Sequence, residues 1–198
     1  MKRVFIIHGW DFNPGMNWYP SVKKHLEGEG FEVIVPEMPD SHHPSISQWA
    51  EKLVEVIGEV DKDTYIIAHS IGCKAIMKFL ESEVPEGDIA GGIIFVAPWF
   101  TLSPAALPND EYKSIAKPWL DMTLNFDNIR SKVKKFVAFF SDNDPYVPIN
   151  NLKLFEDALS AEVIIESGMG HFDDDSAIKD LPQVADKLLE MAQIKERY

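Results

Sequence analysis

A single cysteine, Cys73, is all the thiol chemistry that the 198 residues contain. A lone thiol cannot close an internal disulfide, so the chain must hold together through its core, and it fits a reducing compartment. Basic residues are also scarce: 19 Lys and Arg against 32 Asp and Glu leave a formal charge of −13. Apart from Lys132, Lys134 and Lys135 they do not cluster. That balance argues against nucleic acid and against an anionic membrane surface, both of which are bound through basic patches. Long apolar runs are missing too. Val4 to Ile7, after Met1-Lys2-Arg3, is too short for the core of a signal peptide, and no stretch approaches the roughly 20 residues of a membrane span. The expectation is a cytoplasmic protein without membrane contact. Two further absences narrow the chemistry. No H-x₃-H, HExxH or CxxC spacing offers a metal its ligands, and His8-Gly9-Trp10, where a nucleotide-binding loop would sit, has neither GxGxxG nor GxxxxGK[ST]. No metal or other cofactor is expected.

What is present suffices for one core. With 45% apolar residues and no Gly/Ser-rich linker, residues 1–198 read as one domain. Buried-strand runs are expected at Lys2 to His8, Phe31 to Val35, Tyr65 to Ile67, Ile89 to Ala97, Lys135 to Phe140 and Glu162 to Ile165. Helical periodicity separates most of them. Tyr19 to Leu26 is followed by Gly28 and Gly30, and Ser45-Ile46-Ser47-Gln48 reads as a capping box opening a helix whose apolar face is Ile46, Trp49, Ala50, Leu53, Val54 and Ile57. Leu152, Phe155 and Leu159 share one side of a helix over residues 149–159, and Ile178, Leu181, Val184, Leu188 and Met191 stripe the last one, with Pro182 in its first turn. Between residues 98 and 128 the periodicity fails, so a lid-like irregular segment is expected there. Alternating strands and helices predict an α/β fold: a three-layer sandwich with a mostly parallel six-stranded sheet, order 2-1-3-4-5-6, and helices on both faces. The ligand crevice should open beyond the carboxyl ends of strands 1 and 3.

The stretch TYIIAHSIGCKAIMKFL, residues 64–80, sits at that crevice. Gly72, Ala75, Ile76, Phe79 and Leu80 recur at helical spacing directly after the strand, with Lys74, Lys78 and Glu81 on the other side, so Ser70 lies at a tight strand-to-helix corner. Ala68 and Gly72 flank it as in a G-x-S-x-G nucleophile elbow with Ala in the first place. Cys73 reads as a small buried helix residue. A serine hydroxyl needs a base, and the base needs a group to orient it. His171 follows Gly168-Met169-Gly170 after the last strand and is the preferred base, with His8 at the end of strand 1 as the other choice. His69 should turn away from Ser70, because neighbouring strand residues face opposite sides. His25, His42 and His43 read as surface residues. For the acid, Asp142 and Asp144 compete in Ser141-Asp142-Asn143-Asp144-Pro145; Pro145 holds Asp144 extended, which favours it. Backbone amides of Trp10 and Ile71 are the candidate oxyanion donors. Trp10, Trp99, Phe100 and Trp119 are candidate pocket walls. Asp173-Asp174-Asp175 reads as a solvated loop ending in a helix cap, or else as a barrier to anionic substrates.

With VFIIHG at 4–9, IIAHSIG at 66–72, APW at 97–99, KPWL at 117–120, SDNDPYVP at 141–148 and GMGHF at 168–172, the chain resembles the α/β-hydrolase superfamily. Within it, the similarity is to the small single-domain serine hydrolases related to retinoblastoma-binding protein nine. The resemblance implies Ser70 as nucleophile, His171 as base and Asp144 as acid. It points to a serine hydrolase that cleaves small carboxylic esters, or amides, through an acyl-enzyme; the lid-like segment is too small to cover a long acyl chain, so a preference for short acyl groups is expected. The competing readings are an amide or peptide hydrolase or acyltransferase with the same triad, and a catalytically weak protein-interaction module on the same fold. No protein partner can be named, and no partner-binding motif such as L-x-C-x-E is present.

Overall fold

The computed structural model describes residues 1–193. Six strands, β1 (Arg3–Ile7), β2 (Glu32–Ile34), β3 (Thr64–His69), β4 (Gly92–Val96), β5 (Phe136–Ser141) and β6 (Glu162–Glu166), form one sheet in the order β2-β1-β3-β4-β5-β6. Every neighbouring pair is parallel. The chain order reverses between β1 and β3, so the crevice opens at their carboxyl ends, as the sequence predicts.

Each central strand sends alternate side chains into two separate cores, as a pleated strand must. Phe5, Ile7, Ile66, Ala68, Ile93, Phe95, Ala138 and Phe140 pack with α2 (Ile46–Ile57), α3 (Ile71–Ser82), α5 (Phe126–Ser131) and α6 (Asn151–Leu159). Val4, Ile6, Tyr65, Ile67, Ile94, Val96, Val137 and Phe139 pack on the other face with α1 (Tyr19–Gly28) and α7 (Pro182–Gln193). Both faces are thus covered, which is why the strands read as continuous apolar runs.

Four local expectations are corrected. Residues 98–128 are not irregular: a 3₁₀ turn at Pro104–Ala106, α4 (Asp110–Leu120) and the start of α5 occupy much of the segment. Tyr112, Ile115, Ala116, Trp119 and Leu120 do keep helical spacing, and Asn109 caps the helix by accepting the Tyr112 amide at 3.1 Å. Pro118 hides the pattern, since its missing N–H suggests a break, yet the helix runs on through it to Leu120. The capping box at Ser45 does not form: the Ser45 hydroxyl pairs with that of Ser47 at 3.1 Å. Val54, assigned to the inward face of α2, is exposed. Lys74, assigned to the outward side of α3, is only 2% exposed. The segment after β4 covers that side, so the Lys74 ammonium lies over the rings of Trp99 and Phe100, 5.5 and 5.3 Å from their centroids.

Burial pulls the Lys74 pKa down to about 8. A lysine that binds its proton less tightly when folded destabilises the fold most below the folded value, and that penalty disappears as pH rises toward the unfolded value. The ring contacts offset part of the cost. Lys74→Met should therefore stabilise the protein by about 1–3 kcal/mol at pH 7, and should abolish a rise in wild-type stability between pH 8 and roughly 10.5. Urea denaturation across that range measures both effects; a destabilised Met variant would contradict the assignment.

Candidate active site

Ser70 is the residue between β3 and α3, with φ 52° and ψ −120°. A non-glycine side chain rarely adopts that backbone, and the cost is on the order of 1–3 kcal/mol. Close packing of the corner on β1 makes room for it. A Cβ at Gly72 would come within 2.7 Å of the His8 carbonyl and 2.9 Å of the Ile7 carbonyl, so only glycine fits there. The Ser70 amide donates to Val96 across the sheet at 2.9 Å, which fixes the corner on its other side.

His171 approaches from the loop after β6. Its Nε2 lies 2.9 Å from Ser70 Oγ and its Nδ1 2.8 Å from Asp144 Oδ2. A carboxylate can only accept, so Nδ1 carries the proton and Nε2 is left to accept from the serine hydroxyl. Asp144 is fixed by its other oxygen, which accepts the amides of Tyr146 and Val147 at 2.8 and 3.0 Å. The two side chains are nearly closed to solvent, at 8% for His171 and 3% for Asp144. Such an arrangement can remove a proton from Ser70 and hold the resulting imidazolium.

Asp142 does not reach the imidazole. It accepts the Gly168 amide at 2.8 Å and the Ser167 hydroxyl at 2.7 Å, holding the turn that leads to His171. Those two donors hold its carboxyl below the usual range. Asn143 reinforces the same turn by accepting the Gly170 amide at 2.7 Å. Gly170 has φ 53°, and a Cβ there would fall 2.0 Å from the Ser176 hydroxyl, so glycine is required in this turn.

The other histidines separate clearly. His8 is buried and uses both nitrogens locally: Nδ1 donates to Gly9 at 2.9 Å and Nε2 accepts the Met38 amide at 3.0 Å. Burial holds its pKa down. It is spent on structure and not directed at Ser70. His25, His42 and His43 are at the surface, with side chains 37%, 75% and 58% exposed. His69 does turn away from Ser70, but toward the site's support. Its Nε2 donates to the His171 carbonyl at 2.8 Å, so its Nδ1 accepts from the Tyr19 hydroxyl at 2.7 Å. The same hydroxyl accepts the Gly9 amide at 3.3 Å. Burial keeps His69 neutral and pushes the Tyr19 phenol well up, so neither breaks the chain by ionising near neutral pH. Gly9, Tyr19, His69 and His171 thus tie the loop after β1 to the loop after β6. Nothing in the spacing of Tyr19 reveals this role, because it depends on the crossing of α1 over the sheet.

A cavity of about 300 Å³ holds Ser70 and His171. Trp10 and Trp99 line it; Phe100 and Trp119 do not. Phe100 stacks on Phe155 at 4.2 Å, and Trp119 is fully buried against Trp49 with its indole N–H on the Pro44 carbonyl. Both are packing residues. In their place the cavity takes Phe12, Leu102, Tyr112 and Tyr146. Tyr146 lay within reach of sequence reasoning, since it stands two residues after Asp144 in a turn that the carboxylate itself caps. Ile71 also faces the cavity, and as the first residue of α3 its N–H has no partner within the helix. The Trp10 amide donates to no backbone carbonyl in the loops and turns of the described residues. The acidic triplet is not a solvated helix cap: Asp173 is buried, and it accepts the amide and hydroxyl of Ser176 in a turn well ahead of α7. A larger open groove, about 980 Å³, lies between α2 and α4 and contains neither Ser70 nor His171. Among the described residues no helix is long and apolar enough to cross a membrane.

This is the fold of an α/β-hydrolase with a serine at its strand-to-helix corner, and comparison with known proteins agrees. Residues 4–190 match the family model described as serine hydrolase, and the chain belongs to that family. It is 29% identical over 187 residues to the YdeN protein of Bacillus subtilis (strain 168), covering 94% of each chain. The crystal structure of that gene product superposes with a TM-score of 0.87 at 27% identity, over 96% of this chain and 98% of that one. Serine hydrolase RBBP9 of Rattus norvegicus is 27% identical over 157 residues, 78% of this chain and 77% of its own. Est1E of Butyrivibrio proteoclasticus, solved with ferulic acid bound, shares the fold at a TM-score of 0.73 and 15% identity, over 96% of this chain and 89% of that one.

Tyr19→Phe removes the hydroxyl that joins Gly9 to His69 and leaves buried polar groups unpaired. It should cost about 1–3 kcal/mol of stability in urea and lower kcat by roughly ten- to a hundredfold through displacement of the two loops. Denaturation and ester kinetics on the purified variant test this, and wild-type values in both would contradict the tether.

Proposed function

We propose that the protein hydrolyses small carboxylic esters through an acyl-enzyme at Ser70, with His171 as general base and acid and Asp144 as the group that orients it. The observation that carries this reading is the continuous hydrogen-bonded line from Ser70 Oγ through His171 to Asp144, both links under 3 Å. His171 takes the serine proton as Oγ attacks the acyl carbon, then gives it to the departing alcohol. The amides of Trp10 and Ile71 receive the negative charge on the carbonyl oxygen, and the positive end of α3 reinforces them. Water then repeats the sequence on the acyl-enzyme and releases the acid.

The cavity's size supports short acyl groups, since about 300 Å³ lies at the small end of ligand sites. Trp99, Leu102 and Ala105 form its apolar wall, which makes residues 98–128 the cover of a site built into one catalytic domain. The buried, unactivated thiol of Cys73, whose pKa burial pushes well up, fits the reducing cytoplasm and takes no part in the chemistry. Amide hydrolysis by the same residues differs only in the leaving group and is separated by substrate profiling.

A panel of aryl esters of graded acyl length should show highest kcat/KM for the shortest chains. Ser70→Ala and His171→Ala should each lower kcat by about 10³-fold or more, and Asp144→Asn by a similar order. A fluorophosphonate should label wild type and not Ser70→Ala. Equal labelling of the two would defeat the nucleophile assignment.

A further inference from the structure

We infer that the catalytic cavity selects by charge and takes substrates whose leaving group is cationic. This rests on the serine hydrolase reading above and names the substrate class of the same site. Three carboxylates, those of Asp11, Asp173 and Asp175, line the cavity with Ser70 and His171, and no Lys or Arg lines it. Asp11 is matched by His42. Asp173 has no such match. Asp173 is buried, and one oxygen of its carboxylate accepts the amide and hydroxyl of Ser176 at 2.9 and 2.7 Å. A positive group entering the cavity meets this carboxylate where no basic side chain of the lining competes for it. Asp175 stands exposed at the mouth, and the lysine of this loop, Lys179, pairs with Asp174 instead.

Tyr146 locates this wall relative to the chemistry. Its ring stands edge-on to the His171 imidazole with centroids 5.2 Å apart. Asp173 and Asp175 follow His171 in the same loop and line the cavity with Tyr146, so both carboxylates stand on the imidazole side of it, and after burial their charges are the next cause that pushes the Tyr146 phenol up. That is the side from which His171 returns its proton to the departing group. Trp10 and Tyr112, stacked at 5.1 Å, add ring faces at the same mouth. Carboxylates among aromatic faces attract a cation twice over, by Coulomb's law and by the ring quadrupoles, and repel an anion.

Three thioacetates with leaving groups of similar size test the inference: a trimethylammonioethyl, a neutral dimethylbutyl and a sulfonatoethyl thiol. In each, Ser70 Oγ bonds the acetyl carbon, the C–S bond breaks, the thiol leaves with the proton from His171, and water releases acetate. Wild type should favour the cationic over the neutral thioester by about ten- to a hundredfold in kcat/KM and disfavour the anionic one. The preference should narrow in 1 M salt and fall severalfold in Asp175→Asn and in Asp173→Asn, whose amide oxygen still accepts from Ser176. Fluorophosphonate labelling of Ser70 is measured on the same samples. Labelled protein that treats the cationic and neutral thioesters alike, or does not turn over the cationic one, overturns this inference alone. Failure of Ser70 to label, with no thioester cleaved, overturns the hydrolase reading and this inference with it.

Discussion

The site depends on the backbone at Ser70, which is held where an ordinary residue does not rest. Its positive φ turns the hydroxyl out of the sheet and toward His171, and starts α3 so that Ile71 lines the same cavity. Such a conformation persists only when its surroundings leave no alternative. Here the sheet supplies them: the Ser70 amide is bonded to β4, and Gly72 lies against the carbonyls that end β1. The two strands that fix the corner flank β3 because the chain order reverses there, so the geometry of one residue follows from the topology of the whole sheet.

A second constraint keeps the partners of Ser70 in place. The loops after β1, β5 and β6 have little regular structure, yet they are joined by polar contacts. Asp142 and Asn143 hold the turn before His171, Asp144 is fixed by two amides, and Tyr19 with His69 ties the His171 carbonyl back to Gly9. The buried contacts among them are each worth about 1 kcal/mol in stability. Their larger effect is on position, because proton transfer tolerates little displacement of donor and acceptor.

The sheet and the meeting of Ser70, Asp144 and His171 were legible in the sequence because they follow from periodicity and from residues placed just after strands. Each of the three sits where a parallel strand ends, and parallel strands bring their carboxyl ends to one rim. The cavity wall was not legible in the same way. Trp119 and Phe100 share the composition of pocket residues but are consumed by packing on Trp49 and Phe155, which only the path of α4 decides. Lys74 misled for a related reason: its helix face is outward in isolation and becomes inward once the segment after β4 lies over it. Pro118 concealed α4 by suggesting a break, although the helix runs on through it to Leu120.

The proposed hydrolysis turns on covalent chemistry at one oxygen atom. Rapid quenching of the protein with an excess of a short-chain ester, followed by intact mass measurement and peptide mapping, detects that bond directly. The account predicts a single acyl increment on the peptide containing Ser70, decaying as the free acid appears. Ester turnover with no acyl group on Ser70 at any quench time, or with the acyl group on another residue, would contradict it.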